Sequence, residues 1–284
     1  MKSVIAVIAP GAMGAAVGKR LTDNGVKVLT SLAGRSEATA KRAGEAGMAS
    51  ASDAEIASAD FILSILPPSD ALPLAQRFAP ALSASNTKPV YVDCNAINPA
   101  TVERIAAAIA PTGCAFVDAG IIGPPPRGER AGPRFYASGK AASRLAALRE
   151  YGLDVRLLEG SLSAASALKM SYAGINKGTQ AIGAAMILAA MRAGSADALL
   201  AELSFSQKEL LAQFRQQLPQ MPAKAYRWVA EMQEIAGFVG DDPAARVLYD
   251  GAARFYERMA EDFKSAQQDA SALAAFLGKG LNDR

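Results

Sequence analysis

The sequence of 284 residues contains no histidine. Without an imidazole the chain cannot form a Ser-His-Asp or Cys-His catalytic group, a His-Asp pair for hydride transfer, or a zinc site of the common histidine-containing kinds. Any general base must therefore be a lysine, aspartate, glutamate, tyrosine or cysteine. We expect no metal site.

Cysteine is also scarce. The chain has only Cys94 and Cys114, which lie in apolar surroundings at a spacing that fits neither a disulfide framework nor a metal site. We expect both to be small buried side chains.

The sequence lacks an excess of charge and a long apolar run. It has 30 Lys and Arg against 27 Asp and Glu, mixed along the chain, so no nucleic-acid or membrane-surface binding is expected. The longest apolar helical stretch, 181–190, is too short to span a membrane, and the N-terminal apolar run is too short for a signal peptide. The default expectation is a soluble cytoplasmic protein.

The chain changes character near residue 160. Before it, short runs rich in Val, Ile and Leu alternate with alanine-rich segments, a pattern typical of parallel strands joined by crossover helices. The predicted strands are 3–9, 26–31, 60–66, 89–94, 114–118, 135–138 and 154–158. The predicted helices that follow are 164–192, 197–217, 222–237 and 244–277. The sequence thus predicts an α/β Rossmann-type N-terminal domain over 1–160 and an all-α C-terminal domain over 161–284.

A glycine-rich turn follows the first predicted strand. It reads Pro10, Gly11, Ala12, Met13 and Gly14. In the dinucleotide pattern G-x-G-x-x-G, glycines permit the turn, the approach of the pyrophosphate and close packing of helix on strand. Ala9, Gly11 and Gly14 occupy the three glycine positions, so the first departs from the pattern. We predict that residues 11–14 bind a dinucleotide; the alternative is a plain glycine-rich turn.

The residues after the second predicted strand indicate which dinucleotide. NAD-preferring sites place an acidic residue there to hold the ribose hydroxyls, but 30–36 contains no acid. Arg35 can pair with a 2′-phosphate and Ser36 can hydrogen-bond to it. We therefore predict NADP(H), with NAD less favoured; the alternative is that Arg35 is a solvated surface residue.

The chain resembles the β-hydroxyacid dehydrogenase family, which includes 3-hydroxyisobutyrate and 6-phosphogluconate dehydrogenases. The resemblance lies in the glycine-rich turn and in three further segments, 92–99, 116–123 and 168–170. The resemblance implies that Asn95 approaches the nicotinamide and that Lys169 is catalytic. It assigns substrate binding to Gly120, Ile121, Ile122 and Gly123. We also expect Leu66 to contact the cofactor.

Two departures from the family pattern remove polar groups. Ile122, Gly123 and Pro124 stand where the family usually has a serine followed by two glycines, and Ala173 replaces an asparagine. The C-terminal half, including 227–232, resembles a divergent bacterial and fungal branch with a 6-phosphogluconate dehydrogenase-like C-terminal domain. This resemblance does not identify a substrate.

Lys169 is the predicted general base. Hydride transfer from an alcohol needs a group that takes the hydroxyl proton. A lysine can serve when burial or a nearby cation lowers its pKa toward neutrality. Helical spacing places Tyr172, Asn176 and Lys177 near its face. We expect Asn176 to replace the lost asparagine as a second catalytic residue. We expect Tyr172 and Lys177 to bind substrate, and Lys177 can also lower the pKa of Lys169. The alternative is a lysine on a solvated helix face.

Other features remain open. The proline-stiffened loop 124–134 carries three arginines that can hold a carboxylate or phosphate, or it is a rigid surface connection. Aromatic residues at helical spacing in the C-terminal half are expected in the core or a subunit interface. The family resemblance implies a homodimer.

Three functions compete. The first is an NADP-dependent dehydrogenase or reductase acting on a small, acidic β-hydroxy acid or its carbonyl counterpart. The second is imine reduction, because 118–125 also resembles the corresponding segment of imine reductases, although those enzymes generally carry another residue in place of Lys169. The third is a regulator that binds NADPH without turnover, which the lost polar positions favour.

Overall fold

A computed structural model describes residues 3–126 and 132–278. The chain divides into two compact units, Met1–Met170 and Ser171–Arg284. The division falls between residues 170 and 171 rather than at residue 160. The reason is that the start of the long helix, at residues 165 and 166, is hydrogen-bonded to strands of the first unit.

The described part of the first unit is built on an eight-stranded sheet. Its strands are β1 (Val4–Ile8), β2 (Lys27–Thr30), β3 (Ala49–Ser50), β4 (Phe61–Ser64), β5 (Val90–Asp93), β6 (Ala115–Ile122), β7 (Arg134–Ser138) and β8 (Asp154–Leu157). They lie in the order β3-β2-β1-β4-β5-β6-β7-β8. The helices are α1 (Ala12–Asp23), α2 (Glu37–Glu45), α3 (Asp53–Ile56), α4 (Pro68–Ala84), α5 (Pro99–Ile109) and α6 (Ala142–Leu145). This confirms the Rossmann-type expectation.

Two details of the sheet differ from the predicted pattern. β7 runs antiparallel to β6, with Ile122 opposite Arg134, because the chain between them is shorter than the roughly dozen residues that a parallel crossover needs. β3 was not predicted, since a strand of two residues is too short to show a periodic pattern.

The sheet is covered on both faces. Ile5 and Val7 face one buried apolar cluster, and Ala6 and Ile8 face the other. Burial of both faces explains why the strands are almost continuously apolar. The two cysteines are free and buried, as predicted. β1, β4 and β5 are neighbouring parallel strands. Their carboxyl ends therefore meet at one edge of the sheet, where ligands of open α/β sheets bind.

A long helix, α7 (Ala164–Arg192), begins in the first unit and continues into the second. The other helices of the second unit are α8 (Ala196–Ser206), α9 (Lys208–Gln217), α10 (Pro222–Phe238), α11 (Pro243–Lys264) and α12 (Gln268–Gly278). No helix in the described ranges is long and apolar enough to cross a membrane.

Two helices predicted as continuous are each broken. The segment predicted as 197–217 is interrupted at Gln207, which lies between α8 and α9 with an extended φ of −136°. The segment predicted as 244–277 breaks before α12, where Gln267 has a left-handed φ of 53°. The Asp262 carboxylate accepts hydrogen bonds from the backbone N–H groups of Asp269 and Ala270, so it caps the new helix.

Within the second unit, the aromatic residues have different environments. Tyr256 is fully buried, and its hydroxyl donates to the carbonyl of Lys177 at 2.6 Å. The ring of Trp228 packs edge-on against Tyr256 with centroids 5.1 Å apart, whereas Tyr226 is exposed. The core role predicted for these residues thus holds for Tyr256.

Candidate active site

The glycine-rich turn lies between β1 and α1. Gly11 is the N-cap of α1, and its backbone is extended with no side-chain cap. The first-turn N–H groups of α1 therefore present the positive end of a helix dipole without a side-chain acceptor. This arrangement suits a phosphate.

The two glycines of the turn have different roles. A Cβ atom added to Gly11 would meet nothing within 4 Å, so the missing side chain leaves open surface beside the helix N-terminus. A Cβ atom added to Gly14 would lie 2.0 Å from the carbonyl oxygen of Ala9, so Gly14 permits close packing of α1 on β1. These are two of the functions that glycines serve in a dinucleotide fingerprint. Ala12 and Met13 form the first turn of α1 between them.

The end of β2 carries the residues predicted to hold a 2′-phosphate. Arg35 is exposed in the turn after β2, and Ser36 caps α2 by accepting a hydrogen bond from the N–H of Thr39. Nearby, the hydroxyl of Thr30 is buried without a hydrogen-bond partner in the described residues. A buried hydroxyl without a partner costs free energy, so it fits a site that a ligand completes.

Arg42 is a further cation that the sequence patterns did not reveal. Its Nε donates to the carbonyl oxygen of Pro10 at 3.1 Å, and its terminal nitrogen donates to the hydroxyl of Thr39 at 3.1 Å. Arg42 thus ties α2 to the glycine-rich turn. No local motif marks it, because its partner Pro10 is distant in sequence.

The structure brings two predicted cofactor residues together. The amide oxygen of Asn95 accepts a hydrogen bond from the backbone N–H of Leu66 at 2.5 Å. The amide nitrogen of Asn95 donates to Ser64 Oγ at 2.9 Å and to Asp93 Oδ2 at 2.8 Å. Both amide donors of Asn95 are therefore used inside the protein, and the side chain fixes the segments after β4 and β5.

Asp93 and Asp118 form a pair of buried carboxyl groups that sequence reasoning left unassigned. They are register partners on β5 and β6, and neither is exposed. Burial, together with the charge of Asp118, raises the pKa of Asp93 to about 7, against the opposing effect of its hydrogen bonds from Asn95. Burial likewise raises the pKa of Asp118 to about 6, although hydrogen bonds from Ser166 oppose the shift.

The predicted substrate segment and the predicted base lie against each other in the first unit. Gly120, Ile121 and Ile122 are the last residues of β6, and Gly123 follows in a left-handed conformation. Lys169 is half-buried and lies in the second turn of α7. Its Nζ atom donates a hydrogen bond to the carbonyl oxygen of Ile121 at 2.7 Å. The amine is thus held at the segment that the family resemblance assigns to substrate.

Gly120 permits this contact. A Cβ atom on Gly120 would lie 2.8 Å from the carbonyl oxygen of Ala165 and 3.2 Å from Cβ of Lys169. Any larger residue would therefore push the start of α7 away from β6. The glycine serves as a site of close approach between strand and helix.

The other predicted site residues lie in the second unit, namely Asn176, which is expected to be catalytic, and Tyr172 and Lys177, which are expected to bind substrate. Tyr172 is exposed, and the amide oxygen of Asn176 accepts a hydrogen bond from Nε2 of Gln180 at 2.8 Å. Lys177 forms an ion pair with Glu231, and its Nζ lies 5.2 Å from the centroid of the Trp228 ring. Because Glu231 already balances its charge, an acidic substrate group would compete with that carboxylate. The assignments of Asn176 to catalysis and of Tyr172 and Lys177 to substrate binding remain predictions.

The structure describes the arginine-bearing loop 124–134 only in part. Arg127 and Arg130 lie outside the described residues. Arg134 begins β7, and its Nε is 4.0 Å from Oδ2 of Asp154. Both interpretations of the loop, a segment that holds an acidic group and a rigid surface connection, therefore remain open.

The fold and the site define a class of protein. An open, mostly parallel sheet carries a helix N-terminus without a side-chain cap at its switch-point edge, and a lysine is held at the end of β6. These residues fit a nicotinamide dinucleotide, and no group of potential metal ligands is present in the described ranges. The class is the nicotinamide dinucleotide-dependent oxidoreductases.

Comparison with known families identifies the chain further. A model described as the NAD binding domain of 6-phosphogluconate dehydrogenase matches residues 4–149, about half of the chain. A second, described as a domain of unknown function (DUF1932), matches residues 190–259. The chain belongs to the β-hydroxyacid dehydrogenase family with an NAD-binding domain of the 6-phosphogluconate dehydrogenase type, which confirms the resemblance.

Three individual proteins are similar to the chain. An uncharacterised 28.5 kDa protein of Methanothermus fervidus is 30% identical over 177 residues, which cover 62% of this chain and 66%, just under two thirds, of that protein. A conserved protein of unknown function, described as structurally similar to 3-hydroxyacid dehydrogenases, is 27% identical with a TM-score of 0.68, covering 95% of this chain and 99% of its own. A Mycobacterium tuberculosis 3-hydroxyisobutyrate dehydrogenase, solved with L-serine, is 20% identical with a TM-score of 0.68. The match covers 98% of this chain and 100% of that chain. At 20% identity, this last similarity shows a shared fold only.

The two glycines give a matched test of the cofactor site. Gly11→Ala places a methyl group in open surface, so we expect an unchanged melting temperature but an NADPH affinity weakened by about 10-fold or more, or 1.4 kcal/mol. Gly14→Ala collides with the Ala9 carbonyl, so we expect a lower melting temperature. Calorimetric titration and thermal unfolding measure both. Normal NADPH affinity in Gly11→Ala would contradict the assignment of the turn.

Proposed function

We propose that the protein is an NADP(H)-dependent oxidoreductase that transfers a hydride between the nicotinamide and a small β-hydroxy acid or its carbonyl counterpart. Lys169 serves as general base in oxidation and as proton donor in reduction. The observation that carries the proposal is the 2.7 Å contact between Lys169 Nζ and the Ile121 carbonyl, at the end of β6.

Different residues bind the cofactor, order the loops around it and transfer the proton. The nicotinamide, when bound, supplies the hydride acceptor or donor. Gly11 and the first turn of α1 hold the pyrophosphate, and Asn95 fixes the segments after β4 and β5. The contact with Ile121 directs the Lys169 amine toward the substrate segment, where it takes the proton of a hydroxyl or returns it to a carbonyl oxygen.

The preference for NADP(H) is supported by charge. The residues after β2 carry the exposed cation Arg35 and no acid that would repel a 2′-phosphate. Arg42 adds a second cation to α2 and is anchored to the glycine-rich turn. We propose that Arg35 and Ser36 recognise the 2′-phosphate. Because this cofactor is an intracellular metabolite, we place the activity in the cytoplasm.

Two other functions have specific observations in their favour. Imine reduction is favoured by the apolar Ile122 in place of a serine, and by the resemblance of 118–125 to imine reductases. A regulator that binds NADPH without turnover is favoured by Ala173, which is buried where the family has an asparagine. A spectrophotometric panel of hydroxy acids, carbonyls and cyclic imines separates the three. Tight NADPH binding without turnover on any of them would favour the regulator.

We further propose that the protein forms a homodimer through its second unit. Large apolar side chains are exposed on one face of α7, namely Ile175, Ile182 and Met186, and on α11, namely Val247 and Leu248. Ile182 and Leu248 also line a cavity of about 320 Å³ between these helices. Exposed apolar side chains beside an apolar cavity support an interaction site on these helices.

Replacement of Lys169 tests the catalytic assignment. Because the variant lacks the amine proposed to take the substrate proton, we expect Lys169→Ala to lower kcat by about 10²- to 10⁴-fold with little change in NADPH affinity. In Lys169→Arg, the limb of the kcat/KM pH profile that reports the lysine should disappear. Lys88→Ala is the control, since Lys88 also donates to backbone carbonyls but caps α4. Near-normal turnover in Lys169→Ala, or a limb that survives in Lys169→Arg, would show that another base is used.

Replacement of Arg35 tests the cofactor preference. Arg35→Ala removes the cation proposed to face the 2′-phosphate, so KM for NADPH should rise about 10-fold or more while KM for NADH changes little. Lys41→Ala, at an exposed cation on α2, is the matched control. An unchanged ratio of the two KM values in Arg35→Ala would refute the assignment.

A charge on the apolar face of α7 tests the dimer. Ile182 is 55% exposed, so Ile182→Glu should leave the monomer folded while a buried, unpaired carboxylate destabilises the interface. Sedimentation equilibrium should show a dimer for the parent chain and for the control Gln216→Glu, an exposed position on α9. We expect a monomer for Ile182→Glu. A monomeric parent chain, or a dimeric Ile182→Glu, would exclude this interface.

A further inference from the structure

We infer that Asp118 is a positioning residue, which together with Ser138 clamps the first turn of α7 onto β6 and β7 and so holds Lys169 against the Ile121 carbonyl. The catalytic part of this inference rests on the proposed function. The geometric part does not, because it concerns only where the amine of Lys169 is held.

The first half of the clamp is the Asp118 carboxylate. Oδ2 accepts a hydrogen bond from the backbone N–H of Ser166, and Oδ1 accepts one from the Ser166 hydroxyl, both at 2.7 Å. Asp118 and Ser166 are fully buried. Hydrogen bonds to a carboxylate are among the stronger ones in proteins, so this contact fixes the helix end firmly.

The second half is the hydroxyl of Ser138 on the neighbouring strand. It accepts a hydrogen bond from the backbone N–H of Ala165 at 2.9 Å and donates to the carbonyl oxygen of Leu162 at 2.8 Å. Ser138 is the register partner of Asp118 across β6 and β7. Two paired strand residues therefore satisfy consecutive first-turn N–H groups of α7, a task that usually falls to the residue preceding a helix.

The clamp acts on Lys169 through the helix. Ser166 lies three residues before Lys169, one turn away on the same face, and both contact β6. Gly120 leaves no side chain between the two contacts, so β6 and α7 touch directly. A shift of the first turn would therefore move the Lys169 amine away from Ile121. A displacement of about 1 Å can reduce a rate by about 10²-fold.

The geometric part can be tested without a substrate. Asp118→Asn replaces one acceptor oxygen by an amide nitrogen, which cannot accept the second Ser166 bond. We expect Lys169 to react faster with acetic anhydride at pH 8, by about threefold or more, as measured by mass spectrometry of the labelled peptides, with Lys88 as internal standard. Ser166→Ala keeps the backbone bond, so its increase should be smaller; it is also the milder variant if Asp118→Asn folds poorly. Asp154→Asn, at an exposed carboxylate on β8, should have no effect.

Labelling decides whether the clamp positions the lysine or only stabilises the fold. A lower melting temperature with unchanged labelling of Lys169 in both Asp118→Asn and Ser166→Ala would overturn the inference. Faster labelling of Lys169 alone, with NADPH affinity retained, would support it.

The catalytic part is tested by a double-mutant cycle on the substrate found in the panel above. We expect Asp118→Asn to lower kcat by about 10- to 100-fold in the parent enzyme, but by less than about threefold when Lys169 is already alanine. Equal losses in both backgrounds would show that Asp118 does not act through Lys169. Near-normal turnover of Lys169→Ala would instead refute the proposed function, and the labelling experiment would still decide the geometric part.

Discussion

The direct approach of α7 to β6 at Gly120 is the constraint on which the site depends. It lets Lys169 reach the Ile121 carbonyl, but it also buries the start of a helix, whose first N–H groups have no partner within the helix. A buried N–H group without an acceptor costs about 1–3 kcal/mol. The side chains of Asp118 and Ser138 supply the acceptors. The contact that positions the lysine and the buried polar residues beneath it are therefore one structural feature.

The N-termini of α7 and α1, both in the first unit, differ in what faces their positive ends. At α7, the positive end of the helix receives a carboxylate from the protein itself. At α1, the N-cap is Gly11, which offers no side-chain acceptor and leaves open surface. The N-terminus of α7 is therefore neutralised within the protein, whereas the N-terminus of α1 remains able to bind an anionic ligand.

These features were not equally visible in the sequence. Strands buried on both faces give apolar runs, and the glycine turn is a local pattern, so β1 and residues 11–14 could be predicted. The direction of β7 depended on loop length rather than on periodicity, and the helix breaks at Gln207 and Gln267 lie among good helix formers. The polar network could not be predicted, since Asp118 and Ser166 are 48 residues apart and no local spacing joins them.

The composition of the site also bears on selectivity. In a chain without histidine, we propose Lys169 for proton transfer. The polar side chains of Asp118, Ser138 and Ser166, which are buried in the same unit, are hydrogen-bonded within the protein. The serine that the family uses for substrate is Ile122 here, and an apolar contact discriminates by about 10- to 200-fold per methylene, far less than the 10⁴-fold of a hydrogen-bonding site. We propose that this segment selects substrates by apolar shape, so that a series of acids differing by one methylene should be turned over with graded kcat/KM rather than with one sharp preference.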